Sequence, residues 1–438
     1  MPHETGHAAA PDDAASRAAQ PSAAVTLHLA AMLAGLAILE LLLKLFAGPR
    51  PPMDNLEFWE SVAQTMRMEG FFNVWTPYPP VFPTLFYAVY SLLPTDWIDP
   101  LWQAVNALLI AAQAGLVYVL VRESLPAGSP RAGTMAALSG CAYALAVFRP
   151  SGRVLLGPWM DQFDYLPATL LLLGLWLLVR RRLTASAVVC GVGVMTKLFP
   201  GLLVVLALPV LGWRSGLRYA AIAAAVCAVI AAPFVAANRA AFMSTWRWTA
   251  DRGAWESVWA YAMPGRGVRD PLANMPDDPR AEMARPYRPQ PGLNRVNVVT
   301  LVPLAVTLAA AGLLMMGRTA PLDLCRGLLV MLLALMAFNK GFSSYYIVWA
   351  IPLVCVVYRG ATGFLIGAAL VLLSNTELVG FMGRWMGAGG DEAAAAFFGR
   401  LGPPYFLFWA SIFYREMILL AVAVHQVLRL RRSREFAA

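Results

Sequence analysis

Charge is the scarcest commodity in this 438-residue chain: Asp, Glu, Lys and Arg make up 13% of it, against about 25% in an ordinary soluble domain. With 59% hydrophobic residues and a mean hydropathy of +0.60, that scarcity excludes a soluble enzyme. Histidine is nearly missing, with only His3, His7, His28 and His425, all near the two ends. Of the 5 cysteines, Cys141, Cys190, Cys227 and Cys355 lie inside apolar runs and Cys325 sits beside a short loop. No disulfide framework or cysteine-based zinc site is readable from them. Lysine occurs only at positions 44, 197 and 340, so the net charge of +9 is carried by arginine. Walker loops, dinucleotide fingerprints and nucleophile elbows are absent too, which leaves a nucleotide substrate without support.

What is present is a succession of long apolar runs. Residues 1–24 are Ala-, Pro- and Asp-rich and are expected to form a disordered tail. The run 25–47 is too long for a signal-peptide core and is expected to be a retained first span. Further spans are expected at 100–121, 132–148, 165–179, 183–196, 199–213, 219–237, 296–317, 327–338, 345–358, 361–380 and 404–428. Barrel-type alternation is lacking, so the expectation is an all-α polytopic membrane protein of about twelve transmembrane helices, in one domain over 25–430. Residues 431–438 form a basic tail.

Orientation turns on residues 81–93, an apolar stretch of about 20 Å as a helix against a hydrocarbon core of about 30 Å. Read as a juxtamembrane helix, it leaves Arg122/Arg131, Arg180–Arg182, Arg214/Arg218, Arg318/Arg326, Arg359 and Arg429–Arg434 on one side with the N-terminal tail. That is the positive-inside pattern and predicts cytoplasmic termini in a bacterial-type plasma membrane. Loops 48–99, 149–164, 238–295 and 381–403 are then exoplasmic. Arginine that orients helices gives no reason to expect nucleic acid.

The exoplasmic loops hold the candidate chemistry. Asp54 follows a proline-stiffened connection. With Glu57 it fits a D-x-x-E capping box opening a helix over 57–68, and it equally fits a catalytic carboxylate at the membrane surface. Asp161 and Asp164, three apart, could hold a cation or sugar hydroxyls, while Asp164 also fits the N-cap of the helix beginning at Tyr165. Because no histidine falls on this face, a general base there is a carboxylate. A metal there has oxygen ligands only, which suits Mg²⁺, Ca²⁺ or Mn²⁺ rather than Zn²⁺. The sequence establishes no cofactor and leaves Mg²⁺ or Mn²⁺ open.

Lys197 and Lys340 each precede an apolar helix, in Met195-Thr-Lys197-Leu-Phe-Pro200 and Phe338-Asn-Lys340-Gly-Phe-Ser343-Ser344-Tyr345-Tyr346. A cation at a helix N-terminus is unfavourable unless an anion joins it, and phosphate is the natural anion. Snorkelling to headgroups is the plainer alternative. Arg149 and Arg153 could add bidentate phosphate contacts, or equally meet lipid headgroups.

Together these features resemble the GT-C superfamily of membrane glycosyltransferases that use polyprenyl-phosphate sugars. The likeness rests on the acidic first loop with Asp54, Tyr78-Pro-Pro80 before a juxtamembrane helix, the second loop with Asp161 and Asp164, and the Lys197-Leu-Phe-Pro200 junction. It also rests on the stretch from Phe338 to Pro352, which is similar to bacterial polyprenol-phosphate-mannose-dependent mannosyltransferases and to the glycosylphosphatidylinositol mannosyltransferase I family. The stretch departs from them in carrying Ser344-Tyr345 where they usually place a glutamine before the tyrosine.

The resemblance implies that Asp54 is the catalytic base in an inverting transfer of one sugar, mannose, to a glycolipid or glycan acceptor. It implies that Lys197, Lys340, Arg149 and Arg153 meet the donor phosphate. Asp161 and Asp164 would bind sugar or a cation, and Tyr78, Ser344, Tyr345 and Tyr346 would line the substrate site. The competing classes are a flippase for a phosphorylated polyprenyl lipid, which needs no poised carboxylate, and a lipid-linked oligosaccharide polymerase or ligase. The latter is kept open by Arg266, Arg269, Arg280, Arg285, Arg288 and Arg295.

Overall fold

The computed structural model describes residues 54–126, 128–129, 131–147, 163–251, 257–262, 283–285, 294–388 and 405–435. The tail, the first span, Arg149, Arg153 and Asp161 lie outside these residues. Asp54 and Ser344 lie in described helices, but their side chains are outside the description.

Every regular element among the described residues is helical. The helices are α1 (Asp54–Glu69), α2 (Val81–Leu92), α3 (Thr95–Glu123), α4 (Ala132–Val147), α5 (Tyr165–Val179), α6 (Leu183–Val194) and α7 (Leu202–Leu211). They continue as α8 (Trp213–Asp251), α9 (Val258–Ala262), α10 (Asn294–Met315), α11 (Pro321–Phe338), α12 (Ile351–Tyr358), α13 (Gly360–Ala388) and α14 (Tyr405–Glu435). Short 3₁₀ turns at Phe199–Gly201 and Ser344–Trp349 lead into α7 and α12.

Parts of α3, α8, α10, α11 and α14 are long and apolar enough to cross a membrane. That makes this an integral membrane protein with five such spans among the described residues, fewer than the twelve expected. Several expected spans are short helices: α12 has 8 residues, about 12 Å, and reaches further only through the 3₁₀ turn before it. Helix ends differ where charge was taken as a stop. α11 begins at Pro321 because Asp323 pairs with Arg318 and Arg326, so its first turn carries no unpaired charge. α13 runs on through residues 381–388, which the sequence assigned to a loop, and α14 carries the basic residues to Glu435, since arginine favours a helix C-terminus.

α11 and α12 occupy the centre, with residues 351–356 of α12 all buried. α5 packs on α6, α6 on α8 and α3 on α4, while α13 packs on α4 and α14. Gly191 lets α6 close on α8, where a Cβ would stand 2.7 Å from the Ala223 carbonyl oxygen. The spanning part of α8 buries almost none of its apolar surface in the protein, as a lipid-facing helix does.

The bundle has two chemically different ends. At one, Arg180 pairs with Glu123 at 2.8 Å and Arg359 donates to the Ser124 carbonyl. There too Arg318 donates to Asp323, to Ser433 Oγ at 2.8 Å and to the Leu430 carbonyl at 2.7 Å. At the other, α1 and α2 form a separate aromatic cap in which Trp59, Phe82, Phe86, Trp102 and Phe163 are buried together. α2, 12 residues and about 18 Å long, belongs to that cap rather than to the main core.

Candidate functional site

The site forms at the cap end, where four separate stretches of chain converge on Lys197. α6 ends at Val194, and the chain turns through Thr196 and Lys197 before Pro200 opens the next helix. Val81 N–H donates to the Met195 carbonyl at 3.0 Å, which ties the Tyr78-Pro-Pro80 turn to this junction. Lys197 is 9% exposed, and its ammonium donates to Asp164 Oδ1 at 2.6 Å. Trp349 Nε1 donates to the same oxygen, also at 2.6 Å.

Asp164 occupies the N-cap position of α5, yet its φ of −61° and ψ of −19° are helical and its side chain makes no cap hydrogen bond. The capping alternative is overturned: the carboxylate serves the ion pair instead. The cation that Asp164 holds is thus the ammonium of Lys197. Asp164 is fully buried, and its Oδ2 has no hydrogen-bond partner among the described residues. Burial raises its carboxyl above the usual carboxylate value, against the opposing pull of Lys197 and of the two hydrogen bonds.

Aromatic rings surround the ammonium. Its distances to ring centroids are 4.2 Å for Tyr346, 4.8 Å for Phe163 and Trp349, 5.3 Å for Tyr78 and 5.8 Å for Tyr345. All fall within cation–π range. Trp349 is stacked between Phe199, at 4.0 Å, and Tyr346, at 4.2 Å, so both indole faces are occupied and only its N–H is used polarly. Tyr78 and Phe163 meet edge-on at 4.4 Å, and Trp59 of α1 lies 5.5 Å from Tyr78.

Lys340 has different partners. Its Nζ donates to the Ala250 carbonyl and to Asn297 Oδ1, each at 2.5 Å. Its ammonium therefore sits near the C-terminal end of α8, where the helix dipole is negative, rather than at the N-terminal junction the sequence suggested. Within the chain Lys197 pairs with a carboxylate, and Lys340 with an amide and a carbonyl.

Of the sequence candidates, Tyr78, Asp164, Lys197, Tyr345 and Tyr346 are brought together. Asp54 opens α1, five residues and about 7.5 Å of helix before Trp59. Trp349 and Phe163 are members the sequence reading did not single out. Outside this cluster, Glu377 and Glu416 both pair with Arg415, a residue the sequence reading did not single out. An arginine inside an apolar run was its signal. Among the described residues no three His, Cys, Asp or Glu side chains gather as a metal site.

These features define a helical integral membrane protein with a buried, aromatic-lined ion pair at the end opposite Arg180, Arg318 and Arg359. Residues 75–339, more than half of the chain, match the family model of glycosyltransferase family 87. The chain belongs to that family and is a glycosyltransferase. The matched region contains Tyr78, Asp164 and Lys197. No curated protein and no solved structure matches.

Proposed function

We propose that this protein is a GT-C-type enzyme that transfers a single sugar, mannose, from a polyprenyl-phosphate donor to a glycolipid or glycan acceptor, with inversion, at the exoplasmic membrane face. The observation that carries the reading is Lys197, 9% exposed, with its ammonium among aromatic rings at the end of the bundle away from Arg180, Arg318 and Arg359. Arg180–Arg182, Arg318, Arg326 and Arg359 at the opposite end favour the cytoplasm, which supports an exoplasmic Lys197.

An ammonium has three N–H donors, and Asp164 takes one. The others suit the phosphate of a lipid whose chain stays in the bilayer. Asp54 removes the proton from an acceptor hydroxyl, whose oxygen attacks the anomeric carbon from the face opposite the phosphate. The bond from that carbon to the phosphate oxygen breaks, and polyprenyl phosphate leaves with both bonding electrons. Lys197 stabilises the charge that builds on it, and Asp164 with Trp349 keeps the ammonium in place.

The test uses purified protein in detergent with polyprenyl-phosphate-[¹⁴C]mannose and membrane extract as acceptor. Asp54→Asn is expected to retain polyprenyl phosphate binding and to lose roughly 10²–10⁴-fold in transfer, the range for a general base. Lys197→Met is expected to lose binding. Normal transfer by Asp54→Asn removes Asp54 from the chemistry, and wild-type binding by Lys197→Met overturns the phosphate reading.

A further inference from the structure

Arg415 is fully buried in the spanning part of α14, where an ion costs most. Its guanidinium donates to Glu377 of α13 and, at 2.9 Å, to Glu416 beside it. Two carboxylates holding one planar guanidinium fix its orientation as well as its place. The plane is presented to Phe342, with the guanidinium carbon 3.7 Å from the ring centroid.

Phe342 belongs to the connection between α11 and α12, where Asn339 and Ser343 have extended backbone. The stretch between them is not helical, so its side chains depend on lateral support. Phe342 is buried and meets Tyr346 edge-on at 5.6 Å. Tyr346 in turn lies flat on Trp349 and carries the Lys197 ammonium 4.2 Å above its ring. Contact is thus continuous from Arg415 through Phe342 and Tyr346 to Lys197.

We infer that Arg415 is a positioning residue for the anion site: held by Glu377 and Glu416, it backs Phe342 and thereby sets where Tyr346 presents Lys197. The inference rests on the reading that Lys197 binds the donor phosphate. A purely structural ion pair could be exchanged for apolar residues without consequence for ligand binding. A positioning arginine cannot, because its planar face is what Phe342 rests on.

Full-length Phe342→Leu, Arg415→Lys and the double variant are compared in detergent for polyprenyl phosphate binding, for kcat and KM with polyprenyl-phosphate-mannose, and for thermal midpoint. Lysine keeps the charge but lacks the planar face, and leucine removes the ring while leaving the ion group intact. Each single variant is expected to weaken binding about three- to tenfold, the span of one cation–π contact, with KM rising and kcat within about twofold. The double variant is expected to be no weaker than the weaker single, since both break the same link.

Binding by Phe342→Leu within twofold of wild type overturns the inference, whether or not Arg415→Lys folds. Additive losses in the double variant also overturn it, because Arg415 would then act by another route. A fall in thermal midpoint with unchanged affinity of the folded fraction assigns Arg415 a structural role only. If Lys197→Met binds polyprenyl phosphate normally, the phosphate reading itself fails, an outcome distinct from those three.

Discussion

Trp349 and Asp164 are 185 positions apart in the chain, yet the indole N–H of one lies 2.6 Å from a carboxylate oxygen of the other. That oxygen also accepts from Lys197, so the 3₁₀ turn before α12, the start of α5 and the end of α6 meet at a single atom. The consequences of this meeting and of the contacts around it can be measured.

Trp349→Phe preserves a ring between Phe199 and Tyr346 but deletes the hydrogen bond to Asp164. Hydrogen bonds to charged groups contribute about 1.5–3 kcal/mol, so a loss of that order is expected in detergent unfolding experiments. Lys197 keeps its direct contact with Asp164, and the KM for donor should rise more than kcat falls.

Asp164 should shape the pH dependence of stability. Its carboxyl is raised by burial from 3.8, so the folded chain binds this proton more tightly than the unfolded chain does. The contribution of the group therefore falls as pH rises from the unfolded value through the raised one, and is constant above it. Asp164→Asn cannot titrate. The thermal midpoint of wild type minus that of Asp164→Asn should increase on acidification towards pH 4, and a difference that stays flat or decreases would contradict a carboxyl raised by burial.

Gly191→Val places a branched side chain where a single Cβ already comes within 2.7 Å of backbone oxygen and of Val226. Overpacking of this kind costs about 1–3 kcal/mol. The expected result is lower yield of folded protein and a reduced thermal midpoint, with donor KM unchanged in the protein that folds, since the contact is with α8 and involves none of the groups around Lys197.

Arg318→Ala removes the anchor of the C-terminal end of α14 to α11, including the bonds to Asp323, Ser433 and Leu430. Faster proteolysis after residue 428 is expected, together with a stability loss of about 1–3 kcal/mol for unsatisfied buried partners. Donor affinity should be unaffected, because Arg318 sits at the opposite end of the bundle from Lys197. Equal loss of binding in Arg318→Ala and Lys197→Met would show that the two ends are coupled.

Much of the helix order is legible in the sequence, since most of the helices coincide with apolar runs whose extent hydropathy reports. The limits of those runs are less so. α11 starts six residues earlier than its apolar run because Asp323, Arg318 and Arg326 neutralise one another, and pairing between charges cannot be read from hydropathy. The kink at Asn238, whose side chain accepts from Ala241 N–H at 3.0 Å, joins the expected span 219–237 to the start of the expected loop 238–295 within α8.

In the site, Asp164 and Lys197 stand out by type alone, being ionisable groups beside apolar runs. Their bond to each other does not, because either could equally have capped, snorkelled or faced a ligand. Arg415 shows the same division: its presence in an apolar helix was visible, its seat against Phe342 was not. The sequence by itself determined a helical membrane protein with few ionisable groups away from its arginines, because hydropathy and charge are local properties of the chain. Which of those groups neutralise one another was decided by the tertiary structure alone, because in a water-poor interior a charge is held by the partner that packing brings within about 3 Å, however far away that partner lies in the chain.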